Sequence, residues 1–158
     1  MEVDASSPSL ELLKKIVKAH LIKIPFENIS KLYYKQQGSN YIPNFSQYLD
    51  DIEKYNFGGT CYANNYYLYL LLEHLGYDIK LYRADMRNPD VHLISIVKIN
   101  GSEFIVDEGY AAPFLEPLPR DLLENYAITS GKEKYILKPK NDDSTSHLEQ
   151  YYMGELKH

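Results

Sequence analysis

Residues 56–77 read NFGGTCYANNYYLYLLLEHLGY. Thr60 is suited to cap a helix start and Gly76 to end one. The run between them is apolar almost all round, which predicts a central, buried helix. Its first turn holds Cys61, the only cysteine of the chain. After Gly76 the period changes. Residues 78–85 (DIKLYRAD), 91–99 (VHLISIVKI), 103–110 (EFIVDEGY) and 134–140 (KYILKPK) are rich in β-branched and aromatic residues and predict strands. Helices first and strands second predict an α+β fold, with a helical part over 1–76 and a β-rich part over 77–158.

Upstream, Leu10, Leu13, Ile16 and Val17 recur at helical spacing among Lys14, Lys15 and Lys18. This predicts an amphipathic helix that ends before Pro25. Residues 31–57 are polar and Tyr-rich, broken by Gly38 and Pro43, with one short helix expected from Phe45 to Lys54. Residues 141–158 read as a polar tail. The net charge is −5 and no basic stripe is present, which argues against nucleic acid and anionic membranes as partners. No apolar run reaches membrane-spanning length, and the acidic, polar start does not read as a signal peptide. A single cysteine excludes an internal disulfide, so the cytoplasm is the expected compartment.

Asn100-Gly101 lies between two strand patterns, a strong hairpin signal. With those two residues as the loop, Ile99 faces Ser102, His92 falls opposite Gly109, and Ile94 falls opposite Asp107. His92 and Asp107 then share one face as diagonal neighbours, about 7–8 Å apart at Cα and within side-chain reach. Gly109, directly opposite His92, should leave the imidazole room to lean toward Asp107.

This pattern suits nucleophilic chemistry. A helix N-terminus and a neighbouring imidazole both favour thiolate over thiol, and a carboxylate orients the imidazole. The unpaired N–H groups of the first helical turn can stabilise an oxyanion. Gly58 and Gly59 should let backbone and acyl group approach closely. Other readings stay open on the residues alone. A lone cysteine also serves as a small packing residue, and a strand His with a diagonal Asp also occurs as a satisfied polar pair. Cys61, His92 and Asp107 are residue types that ligate zinc, but no short Cys-x-x-Cys or His-x-x-x-His spacing accompanies them, so no metal is expected. His20 and His74 lie near predicted helix C-termini, where a cation is favoured by the dipole. His147 and His158 fall in the polar tail.

From about Leu10 to Pro119 the chain resembles the arylamine N-acetyltransferase family. KAHLIKIPFENI resembles the family's His-x-x-x-Ile-Pro-Phe-Glu-Asn segment. GGTCYANN resembles its Arg-Gly-Gly-x-Cys-x-Glu-x-Asn motif, with Cys61 at the cysteine and Asn65 at the asparagine. VHLISIV resembles the strand with the catalytic His, and FIVDEGY resembles the Val-Asp-Val-Gly-Phe segment with the catalytic Asp. The resemblance implies a papain-like triad of Cys61, His92 and Asp107. It implies acetyl-CoA as acyl donor, a small aromatic amine, hydrazine or N-hydroxyarylamine as acceptor, and a ping-pong reaction through an acetyl-cysteine thioester. Phe26, Phe57 and Tyr110 are the implied substrate contacts. The implied fold is a helical domain, an antiparallel β-barrel-like domain and an α/β lid, with this chain ending where the family continues into the lid. Phe57, Ala63 and Ala111 depart from the family's Arg, Glu or Gln, and Gly. The rival functions are a thiol hydrolase or amide-forming acyltransferase on the same triad, and a domain that binds without turnover.

Overall fold

The computed structural model describes residues 7–39, 42–86, 88–109 and 114–157. Helix α1 (Leu10–Lys23) starts at Ser9, whose hydroxyl accepts the N–H of Leu12 at 3.2 Å. Leu12, Leu13, Ile16 and Val17 form its buried stripe. Helix α3 (Phe45–Tyr55) is capped by Asn44, whose Oδ1 accepts the N–H of Gln47 at 2.9 Å, and it ends at Asn56 in the left-handed region. Between them lies α2 (Ile29–Gln36), which the sequence pattern did not predict. Its face is polar and aromatic, so no apolar period marks it. It is held instead by Glu27, whose Oε2 accepts the N–H of Ser30 at 2.9 Å, and by Tyr34, whose hydroxyl donates to Asp51 at 2.7 Å.

Helix α4 (Cys61–His74) carries the quoted motif. Leu68 and Leu72 enter the core with α1 and the first sheet, through Tyr77, Ile79, Val97 and Val106. The expectation of a wholly buried helix is corrected on one flank: Tyr62, Tyr66 and Leu71 stay nearly two-fifths exposed. The tyrosines there have polar tips that suit a half-wet face, and Tyr62 donates to Asp90 O at 2.8 Å.

All described strands follow the helices. β1 (Asp78–Ala84), β2 (His92–Ile99), β3 (Ser102–Val106) and β4 (Leu118–Pro119) form one antiparallel meander. β5 (Tyr126–Ser130), β6 (Glu133–Leu137), β7 (Leu148–Tyr152) and β8 (Glu155–Leu156) form a second. The register of β2 on β3 is the predicted one, with Ile99 opposite Ser102 and Ser95 opposite Val106. Two expectations are corrected. β3 ends at Val106, so Asp107, Glu108 and Gly109 leave the ladder. The polar tail over 141–158 contains β7, mostly half-buried, and β8, exposed; both pair through backbone, so no apolar alternation announces them.

Phe114 and Leu118 pack on Tyr135 and Leu137 between the sheets. Arg120 bonds Glu103, Ser144 O and Ser146, and Lys140 bridges Glu103 and Asp121, so charged groups clamp the same junction.

The loop before α4 is tied to the end of α1. Phe26 and Gly59 pair as a parallel bridge, with Gly59 N–H donating to Pro25 O at 3.3 Å and Glu27 N–H to Gly59 O at 3.0 Å. A Cβ at Gly58 would fall 1.9 Å from Pro25 O. Backbone approach explains this glycine, as expected. Gly58→Ala should cost at least ~1–3 kcal/mol through overpacking against backbone. Thermal unfolding should fall by about 3–10 °C.

Candidate active site

Cys61 occupies the first position of α4 and is partly exposed. Its Sγ lies 3.9 Å from Val91 O, beside the residue that opens β2. His92 is buried and its Nε2 stands 2.7 Å from Asp107 Oδ2. Interactions with both Asp107 and Cys61 act on its protonation, so the imidazole is coupled to carboxylate and thiol alike. The structure thus brings Cys61, His92 and Asp107 together as the sequence predicts, from three different elements.

Asn65 holds this arrangement. It sits one helical turn beyond Cys61, so its side chain shares the face of α4 that meets the sheet. Its Nδ2 donates to Asp107 Oδ1 at 3.0 Å and to Leu93 O, and its Oδ1 accepts the N–H of Glu108 at 2.7 Å. Gly109 N–H donates a further bond to Asp107 Oδ1 at 2.9 Å. The carboxylate therefore has partners for both oxygens. The motif match at Asn65 was legible in sequence, but its role as the bridge between helix and carboxylate was not.

The reason for glycine at 109 is corrected. A Cβ there would lie 2.3 Å from Cys61 Cα, 2.5 Å from Cys61 Cβ and 2.8 Å from Asn65 Nδ2. Gly109 makes room for the start of α4, and the imidazole is not its nearest neighbour.

The start of α4 is electrostatically open. Ser9, Glu27 and Asn44 side chains accept N–H groups at the starts of α1, α2 and α3. Thr60 makes no such bond at α4. Ala63 and Asn64 N–H groups bond Thr60 O at 3.0 Å, which leaves those of Cys61 and Tyr62 without helical acceptors. Glu27 Oε1 instead accepts Gly58 N–H at 3.0 Å, upstream of the thiol.

Burial alone would lower the pKa of His92. Its hydrogen bond to Asp107, its interaction with Cys61 and the charges of those groups outweigh burial and hold it at about 9. The imidazolium is thus the form present at neutral pH.

The remaining expectations divide. Phe26 is 46% exposed beside the loop that leads to Cys61. Phe57 is engaged in a ring cluster with Tyr33, Tyr34 and Tyr55. Ala63 packs with Tyr48, Ile52 and Tyr67, so the two departures flanking the thiol serve the helical core. Tyr110 and Ala111 lie outside the described residues, as does His158. His20 is not an exposed helix-end cation: its side chain is 8% exposed and faces Glu108. His147, in the polar tail as expected and exposed, also lines the cavity between the sheets. That cavity is about 620 Å³, and its walls include His92, Asp107, Ile94, Ile105, Phe114 and Leu148. Among the described residues no cluster of His, Cys, Asp and Glu is arranged to hold a metal. None of the described helices is long and apolar enough to cross a membrane.

A family model for N-acetyltransferases matches residues 9–155. Proansamycin X synthase of Amycolatopsis mediterranei is 31% identical over 121 residues, 69% of this chain and 45% of that protein. The liver isozyme of arylamine N-acetyltransferase from Gallus gallus is 31% identical over 134 residues, 79% of this chain and 43% of that protein. The chain thus spans somewhat under half the length of these relatives. Among solved structures, arylamine N-acetyltransferase of Mycobacterium marinum in complex with CoA superposes with a TM-score of 0.69 at 24% identity, covering 98% of this chain and 59% of that one. That likeness shows the fold.

The His92 pKa has a testable consequence. Raised above the ordinary 6.5, it contributes stability that is complete below pH 6.5 and is lost as pH rises through about 9. An NMR titration of the His92 ring should show this midpoint. Asp107→Asn should bring it down by about 1–3 pH units, because the favouring charge is gone. An unchanged midpoint would mean that Asp107 does not set the protonation of His92.

Proposed function

The chain belongs to the arylamine N-acetyltransferase family, and from that premise we propose that it transfers acetyl from acetyl-CoA to an aromatic amine, hydrazine or N-hydroxyarylamine. The observation that carries the proposal is the buried imidazole that bonds Asp107 and is electrostatically coupled to Cys61 at a helix start without a side-chain cap. Residues 1–76 would supply the nucleophile, and residues 77–158 its base and orienting acid.

The proton accounting is consistent with that assignment. With Nε2 bonded to Asp107, the other ring nitrogen of His92 is the one available to Cys61. Cys61 thiolate attacks the acetyl carbonyl carbon, and the negative oxygen that forms meets the N–H groups of Cys61 and Tyr62. The bond to the CoA sulfur breaks, and that thiol leaves with the proton of His92. Acetyl is then held on Cys61 and His92 is neutral. The acceptor nitrogen attacks, His92 takes its proton, and the Cys61–acetyl bond breaks. Thiolate and imidazolium return. Asp107 keeps the Nε2–H tautomer throughout and stabilises the charge on the ring.

Acetyl-CoA as donor is consistent with the CoA complex of the Mycobacterium marinum protein. A carbonyl at Cys61 would find two N–H groups that have no acceptor among the described residues, which fits a thioester substrate. The cavity beside His92 and Asp107 has the size and apolar walls of a small-molecule site, and exposed Phe26 lies near the thiol as a flat aromatic contact. Phe57, turned into its ring cluster, would act on the substrate only through the shape of the loop.

Intact-protein mass spectrometry after incubation with acetyl-CoA tests the proposal. One acetyl group should appear, mapping to Cys61, and an aromatic amine should discharge it. Cys61→Ser should carry no comparable adduct. Asp107→Asn should slow acetylation by about a hundredfold or more, as loss of general acid–base positioning does. A folded sample that takes acetyl from no donor would favour the binding-only reading. Labelling by bulky acyl thioesters but not by acetyl-CoA would favour the rival acyltransferase.

A further inference from the structure

Two more titratable groups lie beneath the Asp107 carboxylate, and the reaction above does not use them. Glu108 follows Asp107 in the chain, and its side chain turns to α1, where it meets His20. His20 Nδ1 and Glu108 Oε2 are 3.5 Å apart, with the side chains 8% and 0% exposed. His20 Nδ1 and both carboxyl oxygens of Glu108 lack hydrogen-bond partners among the described residues. Buried polar atoms without partners are uncommon, and three in one contact call for a chemical explanation.

Among the described residues, the neighbours of Glu108 supply no counter-charge. From α1 comes His20. From α3 comes Tyr48, whose hydroxyl feels the Glu108 charge and donates to Asn64. From α4 comes Asn65, which takes the Glu108 backbone N–H through its Oδ1. From its own segment comes Asp107, which is negative. Among the described residues no Lys or Arg pairs with Glu108. An ionised Glu108 would be a buried charge with no donor. A carboxylate–imidazolium pair would bury two charges that nothing else solvates. A carboxylic acid facing a neutral imidazole needs only one O–H donated to one ring nitrogen.

We propose that Glu108 is a positioning residue, held as the neutral acid with its proton donated to His20 Nδ1, so that Asp107 is the single negative charge beneath His92. The proposal rests on the reading of Cys61, His92 and Asp107 as the reacting triad. The pair also docks α1 against the strand end that carries Asp107, and Asn65 passes that position to the nucleophile helix. Electrostatics agree with the geometry. Burial, aided by the Asp107 charge, pushes Glu108 up to about 9, and burial pushes His20 down to about 4.

The sign of the pH dependence follows from the protons held. In the unfolded chain Glu108 titrates near 4.5 and His20 near 6.5. Between those values folded and unfolded pairs each hold one proton, so the pair adds no slope. Above pH 6.5 the unfolded pair holds none while the folded pair keeps one until about 9, so stability falls as pH rises. Below pH 4.5 the unfolded pair holds two and the folded pair one, until His20 charges near 4, so stability falls with acid.

The decisive measurement is infrared spectroscopy of the whole wild-type chain at neutral pH. A protonated-carboxyl C=O stretch should appear, shift on carboxyl-13C glutamate labelling, and be missing from Glu108→Gln. Urea unfolding should show the wild type losing stability more steeply than Glu108→Gln above pH 6.5, because the amide keeps a donor for His20 but cannot ionise. At pH 7, alkylation of Cys61 by iodoacetamide should slow in Glu108→Ala by about tenfold or more, the rate equivalent of one pKa unit, and Glu108→Gln should restore it. No labelled carboxyl band, as a buried water solvating an ionised Glu108 would give, overturns the proposal. So does an alkaline slope identical in wild type and Glu108→Gln, or a Glu108→Ala rate equal to that of the wild type. A carboxyl band with alkylation indifferent to His92→Ala would instead sink the triad reading and leave the protonation of Glu108 established.

Discussion

The side-chain amide of Asn65 is the interaction on which the site depends. It lies one turn inside α4 and bonds three backbone or side-chain groups of the β2–β3 hairpin: Leu93 O, Asp107 Oδ1 and Glu108 N–H. A carboxylate would offer no donor to Asp107, and an aliphatic side chain would remove all three bonds and leave Asp107 Oδ1 with Gly109 N–H alone. Only an amide presents a donor edge to one segment and an acceptor to the next. The close approach it closes is possible because Gly109 has no side chain where Cys61 passes. Thiol, imidazole and carboxylate thus meet because a helix start and a strand end are bolted together one helical turn beyond the thiol and one residue beyond the carboxylate.

Some of this was legible in the sequence, for identifiable reasons. The Asn100-Gly101 turn sets strand register through a local conformation, with both residues at positive φ, so alternation alone carried His92 to Asp107. The helix with Cys61 announced itself through a cap, a stop and a long apolar run. α2, β5 and β7 did not, because they are held by tertiary bonds or backbone pairing and show no apolar period. His20 was misread for a related reason. Its place near the end of α1 suggested a dipole-stabilised cation, but the turn of the helix aims it inward at Glu108. Sequence position locates a residue along a helix more readily than around it.

The two departures next to the thiol make sense as packing. Phe57 and Ala63 sit where the resemblance expects polar groups, and each joins an apolar cluster of the helical part. The surrounding rings are tyrosines whose hydroxyls reach inward partners: Tyr34 bonds Asp51, Tyr48 bonds Asn64 and Tyr67 bonds Pro43 O. A core built from tyrosine keeps its hydrogen bonds internal, while the nucleophile loop itself is held by a carboxyl group, that of Glu27, whose Oε1 accepts Gly58 N–H.

The uncapped start of α4 is best understood as a cost accepted for chemistry. A side-chain cap at a helix start contributes about 0.5–2 kcal/mol. α1, α2 and α3 each have a side-chain acceptor at their first turn, from Ser9, Glu27 and Asn44. Thr60 is a residue type able to cap, yet its hydroxyl makes no such bond. Were it to turn inward, its oxygen would take an N–H of the first turn and reduce the positive end of the helix. Left open, the N–H groups of Cys61 and Tyr62 have no helical acceptor among the described residues, and under the proposed reaction the stabilisation forgone in the resting fold would be available to the transition state, the one species that should be bound more tightly than substrate.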